Sequence, residues 1–380
     1  MRVLEVTHRY PPALGGVEIQ VQAIARGLAD RGHRVEIATT DLARDRPFQR
    51  FPAPLPPGDF PVRRHRAYRL VPAPHGLGIV APGMALDLLT SPTDVVHAHA
   101  FGMAPTWIAA GVRRVRRTPL VIETHFDGGR GTPGWRLYAR SVARLTLAAA
   151  DRVVAHTRLE TDLLTSVGVD PARIVRIPNG IDLTEFHDGP ERRPDPGVVT
   201  ALFVGRLSPE RKGLEPLVRA VAALPSNLRL RLRIVGEDWG GRALVVRLAR
   251  ELGVDGKVEL VGPLPRERLL GEYASADVFV LPSVFECTPI VLMEAMAAGL
   301  PIVTTRVGGI PEVVSEGRNA VLCPPNDPGA VAAALTRFTL DPALRANYGA
   351  SGRADVVRFS WATVIPQWER LFESSIRAPS

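Results

Sequence analysis

The stretch VVTALFVGRLSPERKGLEPLVRAVAAL, residues 198–224, carries the reading of the fold. It opens with an apolar run of strand length and passes through a polar loop bounded by Gly205 and Gly213. Leu214, Leu217, Val218 and Val221 then recur with a helical period. Strand, glycine-flanked loop and amphipathic helix make one βα step. The step repeats downstream, with strands expected at 229–235, 257–261, 277–281, 301–304 and 319–323 and helices at 213–223, 241–252, 265–274, 289–298 and 327–337. It also repeats upstream, with strands at 2–7, 33–39, 62–66, 94–99, 119–124 and 152–155 and helices at 17–30, 79–89, 104–115, 134–149 and 158–167. Such alternation implies parallel sheets covered on both faces. Two series predict an α/β chain of two doubly wound, Rossmann-like domains. The join is placed in the proline- and charge-rich segment 183–197, so the domains are expected at 1–185 and 186–360. The amphipathic stretch 361–377 is expected to bring the tail 361–380 back onto the first domain.

Composition narrows the class. The chain has 380 residues, 46% hydrophobic and 23% charged, enough for a large core without staples. Cys287 and Cys323 are too few for a disulfide framework and fit a reducing compartment. No apolar run reaches spanning length, and Glu5 interrupts any signal-like start, so the expectation is a cytoplasmic protein. The net charge is +8; residues 1–185 hold 24 basic against 17 acidic side chains, +7, leaving +1 for the remainder. Without interleaved aromatics this is not a nucleic-acid signature. A solvated helix end is the commoner meaning of the cluster Arg113, Arg114, Arg116 and Arg117, and contact with an anionic membrane is the alternative. No short-period repeat is present, and only Lys212 and Lys257 among 47 basic residues are lysine.

Ligands of open parallel sheets bind beyond the carboxyl ends of the strands, so polar residues that follow strands directly deserve inspection. After the strand ending at Val204, Arg206 offers a planar fork and Lys212 a point charge, a pair suited to a diphosphate. After the strand ending near Leu281, Thr288 and Pro289 are expected as N-cap and first helical residue, leaving the amides at 290–291 free for an anion. Glu286 precedes that helix and Glu294 lies within an apolar part of it. Carboxylates beside an anion site make sense when the ligand also carries hydroxyls, and a glutamate among apolar neighbours requires partners.

In the first domain, Gly15 and Gly16 form a glycine turn between the first strand and its helix. His97 and His99 are expected on opposite faces of their strand, with His99 toward the cleft. His125 follows a strand end, with Asp127 beside it. Gly129-Arg130-Gly131-Thr132-Pro133-Gly134 fits a dinucleotide fingerprint, but four residues separate it from the strand, and a flexible cleft loop is the better reading.

These motifs together resemble the retaining GT-B glycosyltransferases of the sucrose-synthase-like family, glycosyltransferase family 4. The resemblance rests on Gly15-Gly16-Val17-Glu18, Asp94 through His99, Thr124-His125, Ile177 through Asp182, and the Gly205-Arg206…Lys212-Gly213 loop. It is completed by Glu286…Glu294 with the following GLPIVTTRVGGIPE. It covers nearly the whole chain. It implies transfer of a sugar, with retention, from a nucleotide-diphosphate-sugar donor to a hydroxyl acceptor: a sugar, an inositol, or a lipid-linked or secondary-metabolite precursor. By matched position, Arg206 and Lys212 neutralise the leaving diphosphate, Glu286 contacts the donor sugar and Glu294 the ribose. His125 lies beside the sugar. Gly15, Gly16, Gly205, Cys287, Thr288, Pro289 and Ile290 line the donor site, and His99, Asp127 and Asn179 are placed toward the acceptor. Cys287-Thr288 departs from the family's usual glycine and hydrophobic residue. No Asp-x-Asp or zinc-like cluster occurs, so no metal or other cofactor is expected, and activity should survive a chelator. A nucleotide-sugar epimerase and a non-catalytic binding protein are the alternatives; the complete set Arg206, Lys212, Glu286 and Glu294 favours an enzyme. Donor base, sugar and acceptor are left open, as is oligomeric state.

Overall fold

The computed structural model describes residues 1–377 apart from 14, 45–47, 53–54, 56–57, 71–77, 126–138 and 188–196. The chain forms two units: Met1–Gly180 with Trp361–Ser380, and Ile181–Ser360.

The first unit is built on β1 (Arg2–Val6), β2 (Arg34–Thr40), β3 (Val62–His65), β4 (Val95–His99), β5 (Leu120–Glu123), β6 (Arg152–Ala155) and β7 (Ile174–Arg176). They form one parallel sheet in the order β7-β6-β5-β4-β1-β2-β3. Winding therefore starts between β1 and β4 and proceeds outward both ways, which makes the β1/β4 junction the topological switch point. Helices α1 (Gly16–Asp30), α2 (Met84–Thr90), α3 (Ala104–Arg113), α4 (Arg144–Ala149) and α5 (Arg158–Ser166) connect the strands. Val21, Ile24, Ala25 and Leu28 form the buried stripe of α1, as their helical period requires.

The second unit repeats the plan with β8 (Val199–Val204), β9 (Leu230–Val235), β10 (Val258–Gly262), β11 (Val278–Leu281), β12 (Ile302–Thr305) and β13 (Ala320–Cys323). Their order is β10-β9-β8-β11-β12-β13, with the switch point between β8 and β11. Helices α6 (Leu214–Ala222), α7 (Arg242–Glu251), α8 (Arg266–Ser275), α9 (Ile290–Ala297), α10 (Pro328–Leu340) and α11 (Pro342–Val356) cover its faces. The last helix, α12 (Trp361–Arg377), returns to the first unit, where Val364, Ile365, Trp368, Leu371 and Phe372 are buried against α1 and the sheet. Gly27 makes that approach possible: a Cβ there would lie 2.5 Å from Ile365 Cγ1.

The expected strands all form. The division falls at Gly180/Ile181, before the expected 185/186, because Ile181 already belongs to the second core and its amide donates to Phe359 O at 2.9 Å. Part of the expected linker is a helical turn, Thr184–His187, and 188–196 lies outside the described residues. The helix expected at 79–89 starts at Met84, because Ile79–Val80 pairs with Tyr68–Arg69 as a hairpin. Helix α11 gave no periodic signal. It buries Gly349 and Gly352 alongside Tyr348 and Val356, and a Cβ on Gly349 would lie 2.1 Å from Gly299 O, so its packing face is made by missing side chains.

Candidate active site

In the second unit the loops after β8 and β11, the two strands at the switch point, lie against each other. Gly213 starts α6 in the left-handed region at φ 62°, and a Cβ there would fall 1.9 Å from Pro282 O. Glycine is required on both counts. The contact brings Lys212 to Glu286, with Nζ 2.5 Å from Oε1, and Ser283 Oγ donates to the same oxygen at 2.8 Å. Both partners of the ion pair are largely enclosed. Gly308, at φ 54°, holds the acid from the other side: a Cβ there would lie 1.8 Å from Glu286 O, and Gly309 N donates to that carbonyl at 3.1 Å. The Gly-Gly pair thus fixes the backbone of Glu286.

Arg206 lies over the ring of Trp239, 4.5 Å from its centroid, a cation–π contact between the loops that follow β8 and β9. Glu294 is buried on α9, where the Tyr273 hydroxyl donates to Oε2 at 2.7 Å and Arg266 Nη1 donates to Oε1. Arg266 also pairs with Glu185, and these two carboxylates raise its pKa above the ordinary guanidinium value against the opposing effect of burial. The partners that a buried Glu294 needed are therefore Tyr273 and Arg266, neither of which was foreseen. Helix α9 begins at Ile290 with Pro289 as N-cap and no side-chain cap. Thr288 is thus not the N-cap expected; its Oγ1 is buried without a hydrogen-bond partner. Cys287 beside it is half-buried and forms no disulfide.

The first unit carries a constellation at its own switch point that residue spacing alone did not show. Register pairs Glu5 with His97 and His99 with Glu123, placing all four on one face of β1, β4 and β5. His97 and His99 share that face, contrary to the expectation of opposite faces, because residues two apart on a strand point the same way. Their rings are 4.1 Å apart. His99 Nε2 lies 2.7 Å from Glu5 Oε2 and Nδ1 2.7 Å from Glu123 Oε2. His97 Nδ1 lies 2.8 Å from Glu5 Oε2, with its ring against Trp368 and Phe372 of α12. From α1, Gln20 Nε2 donates to Glu123 Oε1 at 2.5 Å, and His156 Nε2 lies 3.1 Å from that oxygen.

Burial penalises every charge here, and mutual pairing decides which survive. Glu5 would be pushed up by burial, but His97 and His99 hold it below the usual carboxylate range. Glu123 is lowered further by the surrounding imidazoles. Burial lowers His99 and His156, yet the carboxylates prevail and raise both to about 9. His125, whose Nε2 is 3.7 Å from Glu123, loses that contest and falls to about 3. Two carboxylates thus face two imidazolium ions, and His125 stays neutral. The ligand atoms of Glu5, His97 and His99, and of His99, Glu123 and His125, each lie within 4.8 Å of one another, close enough to share a cation.

His99 is fully buried with both ring nitrogens against carboxylates, so it has no face left for an acceptor. His125 sits at the end of β5 in a left-handed conformation, φ 48°, and is half-buried. Gly15 is the N-cap of α1 and Gly16 its first residue, with Glu18 paired to Arg9 at 2.8 Å. Asn179 is buried and its Oδ1 has no hydrogen-bond partner. Asp127 and the glycine-rich 129–134 lie outside the described residues. Glu5, Gln20, Glu123 and His156 were missed; an acid inside an apolar strand, as in RVLEV and LVIE, was the available signal.

Comparison with known proteins places the chain in a family. Residues 189–355 match the model of the glycosyl transferases group 1, and residues 14–185 that of glycosyltransferase family 4. A D-inositol 3-phosphate glycosyltransferase of Acidothermus cellulolyticus is 33% identical over 92% of this chain and 84% of its own. A glycogen synthase of Mycobacterium tuberculosis is 31% identical over 96% of this chain and 92% of its own. Sucrose-phosphate synthase of Thermosynechococcus elongatus superposes with a TM-score of 0.78 at 24% identity, covering 98% of each chain. Anabaena HepE, solved with UDP-glucose, superposes with a TM-score of 0.75 at 20% identity, covering 98% of this chain and 100% of its own. The chain belongs to the glycosyl transferases group 1, glycosyltransferase family 4, and is a glycosyltransferase of the GT-B fold.

Proposed function

We propose that this enzyme moves a sugar from a nucleoside-diphosphate donor to a hydroxyl acceptor, retaining the anomeric configuration and using no metal. The observation that carries the reading is the Lys212–Glu286 pair at the β8/β11 switch point, with Arg206 in the loop after β8 and Glu294 on α9. Lys212 and Arg206 provide fixed positive potential for the departing diphosphate, the charge that otherwise makes a divalent ion useful. Glu286 accepts hydrogen bonds from sugar hydroxyls once its lysine turns to phosphate. Glu294, already oriented by Tyr273 and Arg266, accepts from the ribose.

A retaining hydrolase sets a second carboxylate about 5 Å from the first to attack the anomeric carbon. In this reading Glu286 is taken up by the sugar hydroxyls and Glu294 by the ribose, Arg266 and Tyr273, so neither acid is left to attack the anomeric carbon. The reading is therefore a same-face displacement: the bond from C1 to the phosphate oxygen breaks, the bond from C1 to the acceptor oxygen forms, and the acceptor proton passes to the leaving phosphate. The structure of HepE with UDP-glucose supports a nucleotide-sugar donor. The relatives named for inositol phosphate and for glycogen support a polyhydroxylated acceptor.

A thermal-shift panel of nucleoside diphosphates identifies the base. Product analysis with an α-linked donor, in chelator, then tests the chemistry. An α-linked product formed at undiminished rate is expected; a β-linked product sinks retention, and loss of turnover restored by Mg²⁺ sinks metal independence. Free nucleoside diphosphate should accumulate only when acceptor is added, whereas an epimerase would return an altered sugar nucleotide instead.

A further inference from the structure

In the first unit, α2, α3 and α4 lie side by side, and their outward faces carry an unusual pairing of side chains. Val115, Leu86 and Leu145 are 78%, 66% and 58% exposed, and Leu89 and Val142 are exposed as well. Large aliphatic side chains left singly in water need no explanation, but a cluster on adjacent elements does. Two arginines tie the cluster together. Arg114 Nη2 donates to Leu145 O at 3.4 Å, joining the end of α3 to α4, and Arg116 Nη1 donates to Leu88 O at 3.0 Å, joining it to α2. Val115 stands between them in sequence. Arg117 and Arg144 add two exposed guanidinium groups that have no carboxylate partner among the described residues.

The acids nearby are already committed. Arg113 grips Asp151 through two bonds of 2.9 and 2.8 Å, and Asp87 of α2 lies 3.0 Å from His65. Arg114, Arg116, Arg117 and Arg144 thus border exposed aliphatic side chains without a compensating negative charge among the described residues. A second copy of this chain would set arginine against arginine, and a nucleic acid would find no aromatic ring to stack on. An anionic bilayer answers both features, since its headgroups pair with guanidinium and its interface accepts aliphatic side chains.

We propose that the α2–α3–α4 face, centred on Val115 between Arg114 and Arg116, docks the enzyme peripherally on an anionic phospholipid surface. No helix among the described residues is long and apolar enough to cross a membrane, so the attachment is by this face and reversible. The inference does not depend on the proposed reaction.

Vesicle flotation of the full chain tests it, using phosphatidylcholine vesicles with and without phosphatidylglycerol, at low and high salt. The wild-type chain should float with the anionic vesicles roughly tenfold better than with neutral ones, and high salt should weaken the association. Val115→Asp with Leu145→Asp should abolish flotation at low salt, and Arg114→Gln with Arg117→Gln should remove most of the preference for anionic lipid. Both variants should keep the cooperative thermal unfolding of the wild type, which shows that they fold. Absence of wild-type flotation, equal flotation of the aspartate variant, or equal binding to neutral vesicles overturns the proposal. A concentration-dependent dimer of the wild type that the aspartate variant abolishes assigns the face to self-association and overturns it too.

Discussion

Lys212 Nζ and Glu286 Oε1 lie 2.5 Å apart, joining two loops whose residues are 74 positions distant in the chain. Two groups that the resemblance assigns to different parts of the donor thus neutralise each other in the free protein. A donor supplying phosphate to the lysine and hydroxyls to the glutamate exchanges one set of charge-assisted bonds for another, and neither group is left buried and unpaired.

Removing the cation should therefore damage turnover more than fold. Lys212→Ala is expected to lower kcat by at least about 100-fold, the scale seen when one preorganised stabilising group is lost. Thermal unfolding should remain cooperative. Near-normal turnover in this variant would refute the assignment of Lys212 to the leaving group.

Tyr273→Phe removes one of the donors that orient Glu294 while keeping the ring in the core. Leaving a buried carboxylate oxygen short of a donor costs about 1–3 kcal/mol. The expected result is roughly tenfold weaker nucleoside diphosphate binding by calorimetry. Unchanged affinity would mean that Glu294 does not touch the ribose.

Gly308→Ala should be destructive despite adding a single carbon. The position has φ 54° and the new methyl would fall 1.8 Å from Glu286 O. A shift of the Glu286 backbone is forced, so we expect loss of transfer and about 1–3 kcal/mol of stability. The same change at Gly240, where φ is also positive but nothing lies within 4 Å, isolates the conformational part. Comparable loss of transfer in both variants would refute the steric account.

The buried cluster predicts a pH dependence with a defined sign. His99 and His156 have pKa values raised to about 9, above the ordinary imidazole value of 6.5. Their contribution is complete below pH 6.5 and is lost as pH rises through 9, on the order of 3 kcal/mol each at most. His125, lowered to about 3, acts oppositely: below pH 6.5 the unfolded chain takes up a proton that the folded one refuses. Thermal unfolding should accordingly show falling stability on both sides of neutrality. His156→Gln should shrink the alkaline loss; an identical alkaline slope in the variant would rule out the pairing.

What was legible in advance has a common character. The βα steps, the loops after β8 and β11, and the placement of Arg206, Lys212 and Glu286 in those loops were readable because periodicity and strand-end position are local properties. A few dozen residues suffice to show them. The amino-acid order of each segment also determined the buried stripes of α1 and α12, since a 3.6-residue period admits one apolar face. Tertiary structure alone decided the rest. Glu5 meets His99 across 94 positions and Gln20 meets Glu123 across 103, and no spacing rule encodes such pairs. Sheet order brings β1 beside β4, register sets the partners, and burial in low dielectric selects which of them carry charge. The division at Gly180 and the glycine face of α11 were likewise invisible, because backbone approach leaves no mark in a pattern of hydrophobic side chains.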